Sequence, residues 1–205
     1  MTVEAGAKEV DLPSLDASDA FIGERLGALS ADPSWPAWLS GDGLIRRWVA
    51  AVALVADGKS PHKVLDYLPV RGVFEVRTQG ARTLIDESSY ARYDGVARAL
   101  ASIDSAKTRS LWVLLHPLLQ LAWNEIAPPT RELDAVVLAA IDHLLAAPLP
   151  PAEVELVLKD GLYRYVDPAY EALSPAQKHL ERMGTQNMLK VREALRQLRP
   201  VSRAL

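Results

Sequence analysis

Apolar residues recur along most of this chain at spacings of three and four, and two short stretches switch to alternation. The most consistent helical signals lie between Tyr163 and Leu198. Ser174-Pro175 reads as a helix start, because the serine hydroxyl can accept an orphan backbone N–H and proline carries no N–H to leave unsatisfied in the first turn. Gly184 is the matching stop, since a residue without Cβ takes the left-handed conformation cheaply. Thr185 is expected to cap the next helix, in which Met188, Val191, Leu195 and Leu198 form an apolar stripe.

Upstream the same grammar repeats. Asp16, Ser18 and Asp19 crowd negative groups at the start of a helix through Leu29, where they suit the positive end of its dipole. Asp32-Pro33 starts a short turn of helix carrying Trp35, Trp38 and Leu39, which Gly41 ends. Asp42 is expected to cap a helix with Leu44, Ile45, Trp48, Val49, Val52 and Val55 on one face, stopped by Gly58. Ser60-Pro61 predicts a short helix ending before Pro69. From Glu87 one helical face carries Tyr90, Tyr93, Val96 and Leu100. Asp104 opens a helix over roughly Ser105–Ile126 that is apolar nearly all round between Leu111 and Leu121, so it is expected to be the central buried one, kinked at Pro117. Thr130 is expected to cap a further helix through Ala146, and Pro148, Pro150 and Pro151 make a stiff connector.

The two alternating stretches, VFEVRTQGARTLI and EVELVLKDGLYRYV, read as β-hairpins, the second turning at Lys159-Asp160-Gly161. The fold class that follows is α+β and mostly α-helical, with about eight helices and two short hairpins expected to share a small antiparallel sheet. Residues 1–11 are polar and aperiodic and read as a disordered lead-in; residues 12–205 read as a single globular domain.

Composition narrows the partners more than it identifies them. The 205 residues are 49% hydrophobic, enough for a sizeable core, and the net charge of −3 gives no global reason to expect nucleic acid or an anionic membrane. Charge is unevenly spread: residues 174–205 carry 7 Lys+Arg against 2 Asp+Glu, about +5, leaving 16 against 24 in the remainder. There is no cysteine, which excludes disulfide frameworks, cysteine-based zinc sites and thiol nucleophiles. The N-terminus lacks the apolar core of a signal peptide. The most apolar run, Leu111 to Trp123, is shorter than the roughly 20 residues a membrane crossing takes, so no membrane insertion by this chain is expected.

Candidate chemistry is sparse. The histidines His62, His116, His143 and His179 sit on four different expected elements, and no HxxxH, HxH or ExxH spacing places two ligands on one face, so no metal site is expected. Asp142-His143 is the most reactive-looking pair, yet adjacent helix residues point about 100° apart and do not orient each other. Nucleophile elbows, SxxK motifs and glycine-rich phosphate loops are all missing, and no cofactor is expected. Glu153 and Glu155 read as a solvent-facing strand edge rather than a catalytic carboxylate pair. Two basic groups stand out: a C-terminal ridge of Lys190, Arg192, Arg196, Arg199 and Arg203, and a set of Arg46, Arg47, Tyr90, Arg92 and Tyr93 that could line a groove or be ion-paired to the surplus acids.

Several long phrases, in order, carry a resemblance: LPSLDASDAF at 12–21, GDGLIRRWVA at 41–50, SYARYDGVARALASID at 89–104, AIDHLLAAPLP at 140–150 and VDPAYEALSPAQKHLERMGTQNMLKVREALRQLR at 166–199. Together they resemble the bacterial domain of unknown function 3014. The resemblance points to Asp42, Arg46, Arg47, Tyr90, Tyr93, Asp142, His143, Gln177, Arg182, Met183 and Gly184. Capping, core packing and helix termination account for Asp42, Met183 and Gly184. Arg46, Arg47, Asp142, His143, Gln177 and Arg182 are left as a candidate interaction surface for a protein partner, or an internal ion-pair network. Tyr90 and Tyr93 are left as a candidate pocket. The alternative is an enzyme or small-molecule receptor whose pocket also includes Asp142 and His143. Members of the family resemble membrane-tethered proteins of Gram-negative bacteria, with a transmembrane helix and proline-rich linker ahead of this domain. The resemblance therefore implies an anchor removed upstream of LPSLD and a periplasmic setting, the alternative being a cytoplasmic homologue without an anchor.

Overall fold

The computed structural model describes residues 11–65, 70 and 72–199; the expected lead-in falls almost wholly outside them. A 3-10 turn at Leu15–Ala17 leads into α1 (Asp19–Gly27), the single-turn α2 (Trp35–Trp38) and α3 (Leu44–Ala56). The first hairpin, β1 (Val76–Gln79) and β2 (Arg82–Ile85), precedes α4 (Glu87–Ala91), α5 (Asp94–Ala101), α6 (Ser105–Ile126) and α7 (Leu133–Leu145). The second, β3 (Glu155–Lys159) and β4 (Leu162–Tyr165), precedes α8 (Pro168–Glu171), α9 (Pro175–Glu181) and α10 (Gly184–Leu198). The architecture is α+β and mostly helical, and the two hairpins form one antiparallel sheet in the order β1-β2-β3-β4.

The main core lies where α3, α6 and α7 meet, around Ile45, Val49, Leu118, Trp123, Leu133 and Val137, all buried. A second cluster joins α5, α9 and α10 through Ala97, Leu180, Met188 and Val191. A third lies on one face of the sheet, where Ile85, Val154, Leu156 and Tyr165 pack with Phe74, Val76, Tyr90 and Tyr170. In the second hairpin Asp160 (φ 54°) and Gly161 (φ 77°) are both left-handed, as a two-residue turn matching strand twist requires.

Several boundaries differ from expectation for identifiable reasons. Asp42 does not cap α3. The N–H groups of Gly43 and Leu44 instead donate to the two carboxylate oxygens of Asp19 on α1, at 2.7 and 2.9 Å, so the cap arrives from another helix. Thr130 lies in a turn ahead of α7. Thr185 is already inside α10 and donates its hydroxyl to the Pro150 carbonyl at 3.2 Å. The expected helix from Glu87 is broken at Arg92-Tyr93 into α4 and α5. Pro61 starts one turn, with Val64 and Leu65 N–H donating to its carbonyl, and the rest of that expected helix lies outside the described residues. Helix α6 continues through Pro117. It is not buried all round: Trp112, Leu115, Leu118, Leu119, Ala122 and Trp123 face the core, while Val113 and Leu121 are 49% and 53% exposed. Glu155 stands on an inner strand, not an edge, and Arg82 bridges it to Glu153.

Candidate functional site

Two helix junctions are brought against one face of the sheet. Ser174 and Gln177 form a reciprocal capping box that starts α9, and Gly184 (φ 74°) turns the chain directly into α10. Glycine is required there twice over: a Cβ would be strained at that φ and would stand 2.7 Å from Tyr90 Cγ. Asn187, 3% exposed, donates through Nδ2 to the Tyr90 carbonyl at 3.2 Å and to Asp94 Oδ1 at 2.7 Å, so the α4–α5 and α9–α10 junctions are tied to each other. Each junction turns one arginine toward the sheet.

The register Leu156↔Tyr165 and Leu158↔Tyr163 puts these four side chains on one sheet face. Between that face and the junctions lies a cavity of about 280 Å³, lined by Phe74, Ile85, Leu156, Gly161, Leu162, Tyr163 and Tyr165 from the sheet side and by Arg92, Tyr93 and Arg182 from the helices. Phe74 and Tyr163 are in ring contact at 5.8 Å. Arg92 is held by the carbonyls of Ser89 and Gly72, at 3.1 and 3.3 Å, with its guanidinium 5.6 Å from the Phe74 ring centre and 5.5 Å from that of Tyr93. Among the described residues neither Arg92 nor Arg182 has a carboxylate in ion-pair contact. Arg46, Arg77, Arg82, Arg98, Arg131, Arg164, Arg196 and Arg199 all do.

Next to Arg182, Glu181 is 1% exposed, and neither carboxylate oxygen has a hydrogen-bond partner among the described residues; the same holds for the Tyr165 hydroxyl. Burial, the largest cause, raises the Glu181 pKa; the Tyr165 hydroxyl, which approaches without completing a hydrogen bond, and the Arg182 and Lys178 charges pull it down more weakly. Burial and then the Glu181 charge push Tyr90 up to about 12 and raise Tyr165 as well.

The residues expected from sequence are divided among different partners. Tyr93 and Arg182 line the cavity together, and Tyr90 packs into the apolar cluster around Tyr165. His143 and Gln177 meet elsewhere: His143 Nε2 shares a 2.7 Å hydrogen bond with the Ser174 hydroxyl, and Gln177 Nε2 donates to the His143 carbonyl at 3.1 Å, fastening α7 to the start of α9. Asp142 holds Arg199 through two bonds of 2.7 and 3.0 Å. Arg46 pairs with Glu125 at 2.6 Å and Asp16 at 2.8 Å, with Arg47 half-buried beside it on α3. The C-terminal ridge is largely committed too: Arg192 donates to the carbonyls of Leu145 and Ala147, and Arg196 pairs with Glu193. Arg203 lies outside the described residues. His179 bonds the Ser60 hydroxyl at 2.6 Å, and His116 bonds Asp134 at 3.2 Å.

Glu181, Phe74, Tyr163 and Tyr165 were not singled out from sequence. The available signal for Glu181 was its place directly after Leu180 and five residues after Ala176, the two apolar residues that α9 buries. Among the described residues no group of three or more His, Cys, Asp or Glu is placed to hold a metal ion.

Comparison with curated proteins finds no match, nor does comparison with solved structures. The profile of one family, protein of unknown function (DUF3014), matches residues 44–199, a span that contains both helix junctions, both hairpins and every residue lining the cavity. The chain therefore belongs to the DUF3014 family.

Proposed function

We propose that this domain is a non-catalytic protein-interaction module that takes an acidic, partly apolar segment of a partner protein into the cavity between the sheet and the two helix junctions. The observation that carries this reading is the pair Arg92 and Arg182, without carboxylate partners among the described residues, set over an aromatic lining. A guanidinium that is already partly desolvated and stacked on rings recognises a carboxylate more strongly than one free in water. Size favours a segment over a whole cofactor: about 280 Å³ is at the lower edge of small-molecule pockets, which run from roughly 300 to 1,000 Å³, and suits one or two side chains. Leu158 and Leu162, 61% and 63% exposed, extend the apolar surface along the second hairpin, where the remainder of a segment would lie.

Fluorescence anisotropy with labelled acidic peptides, each carrying one aromatic residue, tests the reading. Saturable binding that falls at least about tenfold in Arg182→Glu and Arg92→Glu, and weakens with salt, is the expected result. Equal binding by the charge-reversed variants, or by basic peptides of the same length, sinks it. The family resemblance supports a periplasmic, membrane-tethered setting for this module. Protease access to the full-length protein only after the outer membrane is opened would bear that out, and access only after lysis would move it to the cytoplasm.

A further inference from the structure

Helix α6 carries an apolar stripe that the fold leaves uncovered. Val113 and Leu121 are half exposed and Pro117 between them is exposed, while the opposite side of the same helix is in the main core. The spacing 113, 117, 121 keeps the three on one side of the helix over about 12 Å, at 1.5 Å rise per residue.

The stripe is self-complementary when reversed. Val113 lies four residues before Pro117 and Leu121 four after it, so a second antiparallel copy centred on the same proline sets each Val113 level with the other copy's Leu121. Charge follows the same rule. Lys107, 4.0 Å from Asp104, and Arg109 stand at the N-terminal end, and Arg109 has no carboxylate partner among the described residues, so that end is net positive. Eight residues after Pro117, as Arg109 is eight before it, stands Glu125. It shares the single guanidinium of Arg46 with Asp16, so that end is net negative. An isologous contact needs this property: where residue i meets j, j must meet i.

We propose that α6 is a two-fold homodimer interface, in which α6 of one copy packs antiparallel on α6 of a second copy with Pro117 at the axis, Val113 against Leu121 and the Lys107/Arg109 end against Glu125. The stripe is short, so the dimer is a weak, reversible one and not an obligate assembly. This contact is independent of the cavity between sheet and helix junctions.

Sedimentation velocity on this chain from micromolar to millimolar concentration gives the first test, with concentration-dependent dimerisation as the expected result. Val113→Glu and Arg109→Glu should each raise the dimer dissociation constant at least about tenfold. Both positions are solvent-facing, and unchanged circular dichroism checks that the variants fold. Because the chain has no cysteine, Pro117→Cys adds a thiol that can link only to another copy. It should form a disulfide dimer far faster than Lys159→Cys at the hairpin tip. A chain that stays monomeric throughout overturns the proposal. So does a dimer that persists in Val113→Glu, which would place the contact on another face, and so does equal cross-linking at positions 117 and 159.

Discussion

The α3–α6–α7 core and the sheet face with its two helix junctions differ in which polar groups they seal from water: the unpartnered buried atom of the first, among the described residues, is Trp112 Nε1, and the second holds a carboxylate and a phenol. Around the helical core, polar groups reach partners across long sequence separations: Asp19 caps α3, Arg46 holds Glu125, and Asp57 holds Arg131 at 2.9 Å. Near the sheet, Glu181 and the Tyr165 hydroxyl are buried without partners among the described residues, and two arginines face a cavity. Satisfied polar groups rigidify a structure, whereas orphaned ones cost free energy that packing elsewhere must offset. The difference teaches where the cost of unpaired buried polar groups is concentrated, at Glu181 and Tyr165.

Asp32 and Asp57 should answer pH with the opposite sign to Glu181. Hydrogen bonds from the Ser34 side chain and backbone, then from Arg98, hold Asp32 down to about 2, and Arg131 holds Asp57 below its ordinary value. Such groups contribute stability that is present above the unfolded value of 3.8 and is lost as pH falls toward about 2. Glu181 is raised, so its contribution is present below its unfolded value of 4.5 and is lost as pH rises through the folded one.

The largest expected effect tests the junctions themselves. Gly184→Ala forces a left-handed non-glycine residue and drives Cβ into Tyr90, and should cost about 3 kcal/mol in urea unfolding; a loss under 1 kcal/mol would mean that the junction yields readily. Next, Glu181→Met replaces the orphan carboxylate with an apolar group of similar size. It should stabilise by about 1–3 kcal/mol at pH 8 and flatten the decline of stability with rising pH. A destabilised variant would show that Glu181 is satisfied in solution and would blur the contrast between the regions. The smallest effect sharpens the helical side: Asp19→Ala should cost about 1 kcal/mol through lost capping of α3, while Asp42→Ala should stay within about 0.5 kcal/mol. The reverse ranking would restore the local cap.

Local signals recovered most of the fold. Ser174, Asp104, Gly58, Gly184 and the Asp160-Gly161 turn are read from side-chain chemistry acting within a few residues, and all of them sit where the pattern put them. The misses share one cause. Asp42 and Asp19 are equally good caps by composition, and only the approach of α1 to α3 selects Asp19. The α4–α5 period runs unbroken from Tyr90 to Leu100 in sequence, but the chain turns at Arg92-Tyr93, where Asn187 of α10 takes the Tyr90 carbonyl and the Asp94 carboxylate as partners.

For the candidate site, sequence marked Tyr93 and Arg182 without bringing them together; of the surface set it grouped, the structure joins His143 to Gln177, while Asp142 holds Arg199. Periodicity records which side of a helix is apolar but carries no term for what that side meets. What the sequence by itself determined is therefore the set of elements, their caps and turns, and the mostly helical α+β class, because those depend on interactions three or four residues apart. Tertiary structure alone decided which of the described residues pair with Arg92 and Arg182 and which do not, which glutamate is sealed from water, and which side of α6 is exposed. Those are properties of desolvation and pairing across the whole chain, and they exist only once distant elements have packed.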